Sequence, residues 1–199
     1  MLFVAMVYVP LYLQTVRGYS AFLAGLSLIP MFLGLIVATS IAGPAIAKSG
    51  RYKFYPVIAA IITGIAMWFL GYVGAGTSVW VVMIPLVFVG AGAGLFVQVA
   101  LLGGQNAAPH EHLGAATGAL NFFKTMGGAF GTAIFSAVLA AATAGARTQA
   151  QLASAYGDLF KLTVPLMAVS LILALVMREK PLSTEMIDVA EGKVEVPEF

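Results

Sequence analysis

The sequence predicts an all-α fold, a polytopic membrane bundle of six transmembrane helices, and three observations lead there. The 199 residues are 61% hydrophobic and 9% charged, against about 45–50% apolar and about 25% charged in a soluble domain. No aqueous fold of this size could hide so much apolar surface, so the solvent is lipid. In lipid every backbone N–H and C=O must be paired internally, which leaves helix bundles or closed barrels. Barrel strands alternate apolar and polar residues over about 10 positions. The runs here are continuous, as in Leu26 to Ala42 and Val79 to Leu102, and six such stretches fill residues 1–178.

The first span, Met1–Val16, is short, because crossing a bilayer takes about 20 helical residues. Arg17-Gly18-Tyr19-Ser20 ends it. A truncated first helix is therefore expected, in a chain that forms the last six helices of a larger membrane protein. The second span, Ala21–Ala47, contains Pro30 and Pro44, and Lys48-Ser49-Gly50-Arg51 closes it. The third, Phe54–Val73, stops at Gly74-Ala75-Gly76-Thr77-Ser78. The fourth, Val79–Gly103, carries Pro85 and the run Gly90-Ala91-Gly92-Ala93-Gly94. Small residues four apart let helix backbones approach closely. The fifth span is Leu113–Ala142 and the sixth Asp158–Met177, with residues 143–157 as the longest connection. Residues 1–178 thus read as one six-helix domain. Residues 179–199 read as a polar, disordered tail, since six of the eight acidic residues follow Met177.

Lys and Arg in short loops set orientation. Lys48, Arg51, Lys53, Arg178, Lys180 and Lys193 fall on one side, and Arg17, Arg147 and Lys161 on the other. This bias predicts a cytoplasmic C-terminus, in a multi-pass protein expected in the plasma (inner) membrane. No Lys or Arg precedes Arg17, so the apolar N-terminus does not read as a signal peptide.

Other classes drop out. There is no cysteine, hence no disulfide and no thiolate metal site. A net charge of +2 is too small to suggest nucleic acid as a partner. His110-Glu111-His112 lacks the i,i+4 geometry of a helical zinc site. No Ser–His–Asp set and no carboxylate pair lies within a span. The chain is expected to be no enzyme and to take no metal or cofactor.

Lys124 is the anomaly, an ionisable residue inside the fifth span. At the bilayer centre such a residue costs roughly 2.5–3.5 kcal/mol on insertion scales, so it normally faces a bundle interior or water. At about 100° per residue, Thr117, Asn121, Lys124, Gly128, Gly131 and Thr132 share one helix face. That polar and small stripe suits a cavity lining; the alternative is that Lys124 snorkels to the interface. Gln14 and Gln98 are the other polar candidates, with bonding between helices as the commoner role for such side chains. Phe122, Phe123, Met126, Phe130 and Phe135 add an apolar wall suited to varied substrates, or simply a lipid-facing surface.

Two segments carry a resemblance. Gly43-Pro44-Ala45-Ile46-Ala47-Lys48-Ser49-Gly50-Arg51-Tyr52-Lys53 resembles the signature loop of the major facilitator superfamily, at Gly43, Lys48, Gly50 and Arg51. Ala47 stands where that pattern has Asp and Ala45 where Leu is usual, which puts a gating salt bridge in doubt. The stretch from Val9 to Ala21, with Ala24-Gly25-Leu26 and Pro30, looks like the start of the C-terminal half of fourteen-span drug:proton antiporters. Gly114 to Gly118, followed by Asn121, Lys124 and Gly127-Gly128-Ala129-Phe130-Gly131, looks like their penultimate span, where Arg is usual at the position of Lys124. The resemblance implies one half of a major facilitator fold, in which two bundles rock around a central cavity. It implies multidrug efflux of a small-molecule substrate in exchange for protons, with the lipid bilayer and a missing N-terminal half as partners. Coupling in such transporters generally uses carboxylates within spans. None lies deep in a span here, so the coupling residues are expected in that missing half. Two alternatives stay open: a specific metabolite transporter of the same fold, and a non-transporting six-helix membrane protein that pairs with partner helices.

Overall fold

The computed structural model describes residues 1–177; the predicted 179–199 tail lies outside the described residues, with Arg178. The described residues form α1 (Leu2–Thr15), α2 (Ala21–Leu26), α3 (Ile29–Ser49), α4 (Phe54–Leu70), α5 (Val79–Ala107), a single 3-10 turn at His110–His112, α6 (Leu113–Thr143) and α7 (Gln149–Val176). No strand occurs among them. Among the described residues four helical stretches are long and apolar enough to cross a membrane: Ala21–Ile46, Val79–Asn106, Leu113–Thr143 and Gln149–Val176. The apolar helices α1 and α4 are shorter, at 14 and 17 residues.

The predicted second span is one apolar stretch but two helices. Pro30 has no N–H to bond the carbonyl of Leu26, so the ladder breaks one turn before it. The Ser27 hydroxyl donates to the Ala24 carbonyl at 2.6 Å inside that break. Ser20 caps α2 by accepting from the Leu23 N–H.

The predicted sixth span starts nine residues too late. Much of the supposed 143–157 connection is helix, because Thr148 and Gln151 form a capping box: each side chain satisfies the other residue's free backbone N–H. Removing this cap by Thr148→Ala is expected to cost about 1 kcal/mol. Denaturant unfolding in detergent, followed by circular dichroism, checks it; an unchanged midpoint would show that the cap contributes nothing.

Packing starts from glycine. A Cβ on Gly34 would strike the Val87 carbonyl, one on Gly90 the Met31 carbonyl, and one on Gly94 would sit 2.6 Å from the Leu35 oxygen. The backbones of α3 and α5 therefore touch along a small-residue seam, the closest packed pair in the bundle. On its other side α5 meets α4 through Gly92, which faces Thr63 and Ala59. Next, α4 packs on α7, where Gly157 approaches the Gly71 carbonyl.

The short helix α1 sits in the main core. Val4, Ala5, Tyr8, Val9, Tyr12 and Leu13 of α1 are buried against Met31, Met67, Leu70, Val82, Leu86, Leu159 and Phe160. A smaller cluster of Ala42, Ile46, Tyr52, Val99 and Leu102 closes the opposite end, beside the 50–53 loop. Helix α6 is the outlier: only Phe135 and Leu139 are buried among its residues.

Candidate functional site

The candidate site follows from how α6 is held. One end of its small stripe docks on α1: Gly128 lies under the Phe3 ring, and the Tyr8 hydroxyl donates to the Thr132 carbonyl at 2.7 Å. Thr132 in turn donates to the Gly128 carbonyl. Nearer its start, α6 is tied to α5 by the Gln105 amide, which donates to the Thr117 hydroxyl at 3.1 Å, and by Leu120, which covers Gly104. Between these ties the face opens. Lys124 Nζ donates to Asn121 Oδ1 at 2.8 Å, and both residues are exposed.

The predicted stripe is thus one helix face with two uses. Gly128 and Thr132 seat α6 on α1, while Lys124 and Asn121 are exposed and bond each other. Thr117 is half-buried and engaged by Gln105, a partner the sequence did not reveal because a polar residue at a helix end is unremarkable. Phe122 and Phe123 stack edge to face at 5.5 Å and are both exposed, as are Met126 and Phe130. Phe135 is buried in the α1-centred core instead.

The glutamines do not join them. Gln98 lies across α3, with its amide nitrogen 3.1 Å from where a Cβ of Gly43 would be. This is the interhelical placement that a polar side chain in lipid favours. Gln14 is exposed on the last turn of α1.

The signature segment is a helix end. Gly43 is buried in α3 and Lys48 is exposed in its last turn. Gly50 ends the helix at φ 66°, a left-handed conformation that glycine adopts without strain, and its N–H bonds the Ile46 carbonyl at 2.8 Å. Ser49 Oγ then accepts from the exposed Arg51 N–H.

At the other end of the bundle stands an arrangement the sequence did not announce. The Tyr12 hydroxyl donates to the Gly74 carbonyl at 2.7 Å, Arg17 donates to the Ala75 carbonyl, and the Thr15 hydroxyl donates to that of Tyr156 at 3.0 Å. Tyr12 and Tyr156 meet edge to face at 5.7 Å. These contacts clamp α1 to the 71–78 loop and to α7.

Two apolar grooves open on the surface. One, of about 560 Å³, runs between α3 and α5 past Pro30, Ile41 and Leu95. The other, of about 630 Å³, runs between α4 and α5 past Phe69, Tyr72, Pro85 and Phe88. Neither is lined by any residue of the Lys124 set.

Comparison with known proteins agrees with this architecture. Residues 1–132 match the sequence model of the Major Facilitator Superfamily. The chain is 33% identical to an MFS-type transporter of Mycobacterium tuberculosis over 209 aligned positions, covering 90% of this chain and 30% of the relative. It is 35% identical over 136 positions to a tetracycline resistance determinant of Streptomyces rimosus, covering 68% of this chain and 39% of that protein. It is 29% identical over 143 positions to the multidrug transporter protein MdtP of Bacillus subtilis, covering 69% of this chain and 25% of that protein. The chain therefore spans about a third of these relatives' lengths. No solved structure matches it.

Proposed function

The chain belongs to the major facilitator superfamily, and on that premise we propose that it serves as the C-terminal half of a transporter that exports drugs or other amphipathic compounds in exchange for protons. One observation carries the reading. Lys124 and Asn121 form a hydrogen-bonded pair, both exposed, on a stretch of a membrane-length helix between its ties to α5 and α1 that no other described helix covers. A cation in that position calls for water, substrate or a second bundle beside it. A companion half docked along α1 and α6 would enclose the pair in a shared cavity, with Thr117 and the Phe122–Phe123 wall around it. The names of the tetracycline-resistance and multidrug relatives support a drug as cargo.

Proton exchange needs an ionisable group within the membrane, and the charge map bears on where that group lies. Among the described residues the carboxylates are Glu111, in the 3-10 turn, and Asp158, paired with Lys161. Neither is placed to exchange a proton along the Lys124 face, so the companion half supplies that group. The Lys/Arg bias of the signature loop and of residues 178–193 supports the reading of a plasma-membrane bundle with a cytoplasmic C-terminus.

The test is drug accumulation in a drug-sensitive bacterial host expressing the intact transporter. Accumulation is expected to fall, and an uncoupler of the proton gradient is expected to restore it. Export that survives the uncoupler would refute proton exchange. Unchanged accumulation across a panel of amphipathic drugs would refute drug export.

A further inference from the structure

We propose that the groove between α4 and α5, with the charged pair at its rim, is a binding site for a zwitterionic phospholipid with a primary-amine headgroup. The site is composite. The groove, of about 630 Å³, is lined by side chains such as Ile65, Phe69, Pro85 and Phe88, and opens to the surroundings. Tyr72 lines its end. The Lys161 ammonium sits 4.9 Å from the centroid of that tyrosine ring, and Asp158 Oδ1 lies 3.4 Å from the same ammonium. Trp68 meets Tyr72 edge to face at 5.6 Å, so the ring that joins groove and charges is itself held. The Lys161 stem is bedded on Gly71, where no side chain stands in its way.

Depth agrees with the assignment. Gly157 packs on the Gly71 and Val73 carbonyls. Asp158 and Lys161 therefore lie level with the end of α4, where the polar 71–78 loop begins. The first turns of α7 project beyond that level. A Trp–Tyr pair belongs at the membrane interface, and the groove runs from there toward the bilayer interior. An acyl chain fits the groove while the headgroup stays at the rim.

The charges select the headgroup. One cation and one anion side by side complement a dipolar headgroup, with the lipid phosphate toward Lys161 and its ammonium toward Asp158. A purely anionic lipid would meet the Asp158 carboxylate as well as the lysine. The Tyr72 face already holds the Lys161 ammonium, so it offers no free ring for a quaternary ammonium. What remains is the Asp158 carboxylate, whose side chain is 70% exposed. It can accept hydrogen bonds from a primary ammonium, which a choline group cannot donate.

The chain's two tryptophans, Trp68 and Trp80, supply the readout. In a Trp80→Phe background, Trp68 alone reports lipids at the rim. The chain is reconstituted into vesicles of phosphatidylcholine mixed with brominated phosphatidylethanolamine, brominated phosphatidylcholine or brominated phosphatidylglycerol, and quenching is measured. Phosphatidylethanolamine is expected to compete about threefold better than phosphatidylcholine, the size of an exposed ion pair. Asp158→Asn should bring the ratio to about one, Lys161→Gln should weaken quenching by both lipids, and Lys161→Arg should keep the ratio, with unchanged helical circular dichroism in all three. Equal competition in the unsubstituted chain, a preference for phosphatidylglycerol, or a preference that survives Asp158→Asn would overturn the proposal.

Discussion

Replacing Lys124 by methionine in the intact transporter is expected to lower drug export about tenfold or more, equivalent to about 1.4 kcal/mol on the rate-limiting barrier. Methionine keeps the length and apolar stem of lysine and removes the charge, so the loss reports the ammonium rather than packing. In the isolated bundle Lys124 is exposed and touches one polar partner, the Asn121 carbonyl at 2.8 Å. Its removal leaves no buried group unpaired, and the fold should tolerate it. Lys124→Arg should retain most export, because the guanidinium keeps the charge and can still donate to Asn121. Asn121→Ala should give a smaller loss, about threefold, since the ammonium then loses one hydrogen bond but not its charge. Transport of a fluorescent drug into inverted membrane vesicles, normalised to protein amount, separates these outcomes. Full export by Lys124→Met would remove this residue from the transport path and leave it as a snorkelling cation.

What the sequence disclosed, and what it withheld, follows from which signals are local. The boundaries of α6 were legible to within a residue: the polar 110–112 segment precedes its start, and the expected end at Ala142 is one short of the observed Thr143. The start of α7 was equally local, yet an apolarity reading passes over it: Gln149, Gln151, Ser154 and Asp158 look like loop, while the Thr148–Gln151 box marks a helix. The break between α2 and α3 was foreshadowed by Pro30, one turn downstream. The site was legible only as far as a single helix reaches. Helical periodicity puts Asn121 and Lys124 one turn apart, as found. It cannot say that Gly128 and Thr132, on the same stripe, would be taken by α1, or that Gln98 would lie against Gly43. Those placements depend on which helices become neighbours, and that is decided by contacts between residues far apart in the chain, such as Tyr8 with Thr132. The clamp of Tyr12, Arg17 and Thr15 is of the same kind.

The largest expected effect on folding comes from the seam that fixes those neighbours. Gly90→Leu is expected to destabilise the bundle by about 3 kcal/mol, the upper part of the range for overpacked interiors. The physical reason is that the obstacle is backbone. A Cβ at residue 90 collides with the Met31 carbonyl and crowds its carbon and Cα. A flexible side chain could swing aside, but a helix carbonyl moves only with its helix. Relief therefore requires α3 to separate from α5, and the same separation would undo the Gly34–Val87 and Gly94–Leu35 contacts on either side. Because lipid tails are as apolar as leucine, no hydrophobic gain offsets that loss of close packing. Gly127→Leu is the matched control: its Cβ would meet nothing within 4 Å, so a change within about 0.5 kcal/mol is expected. Both substitutions replace glycine by a better helix former in a long helix, so propensity favours the variant equally in each. Only the seam differs. Unfolding in mixed micelles by titration with dodecyl sulfate, followed by the fluorescence of Trp68 and Trp80, measures both. Equal midpoints for the two variants would mean that α3 and α5 are not held together by backbone approach, and that the seam tolerates a side chain between them.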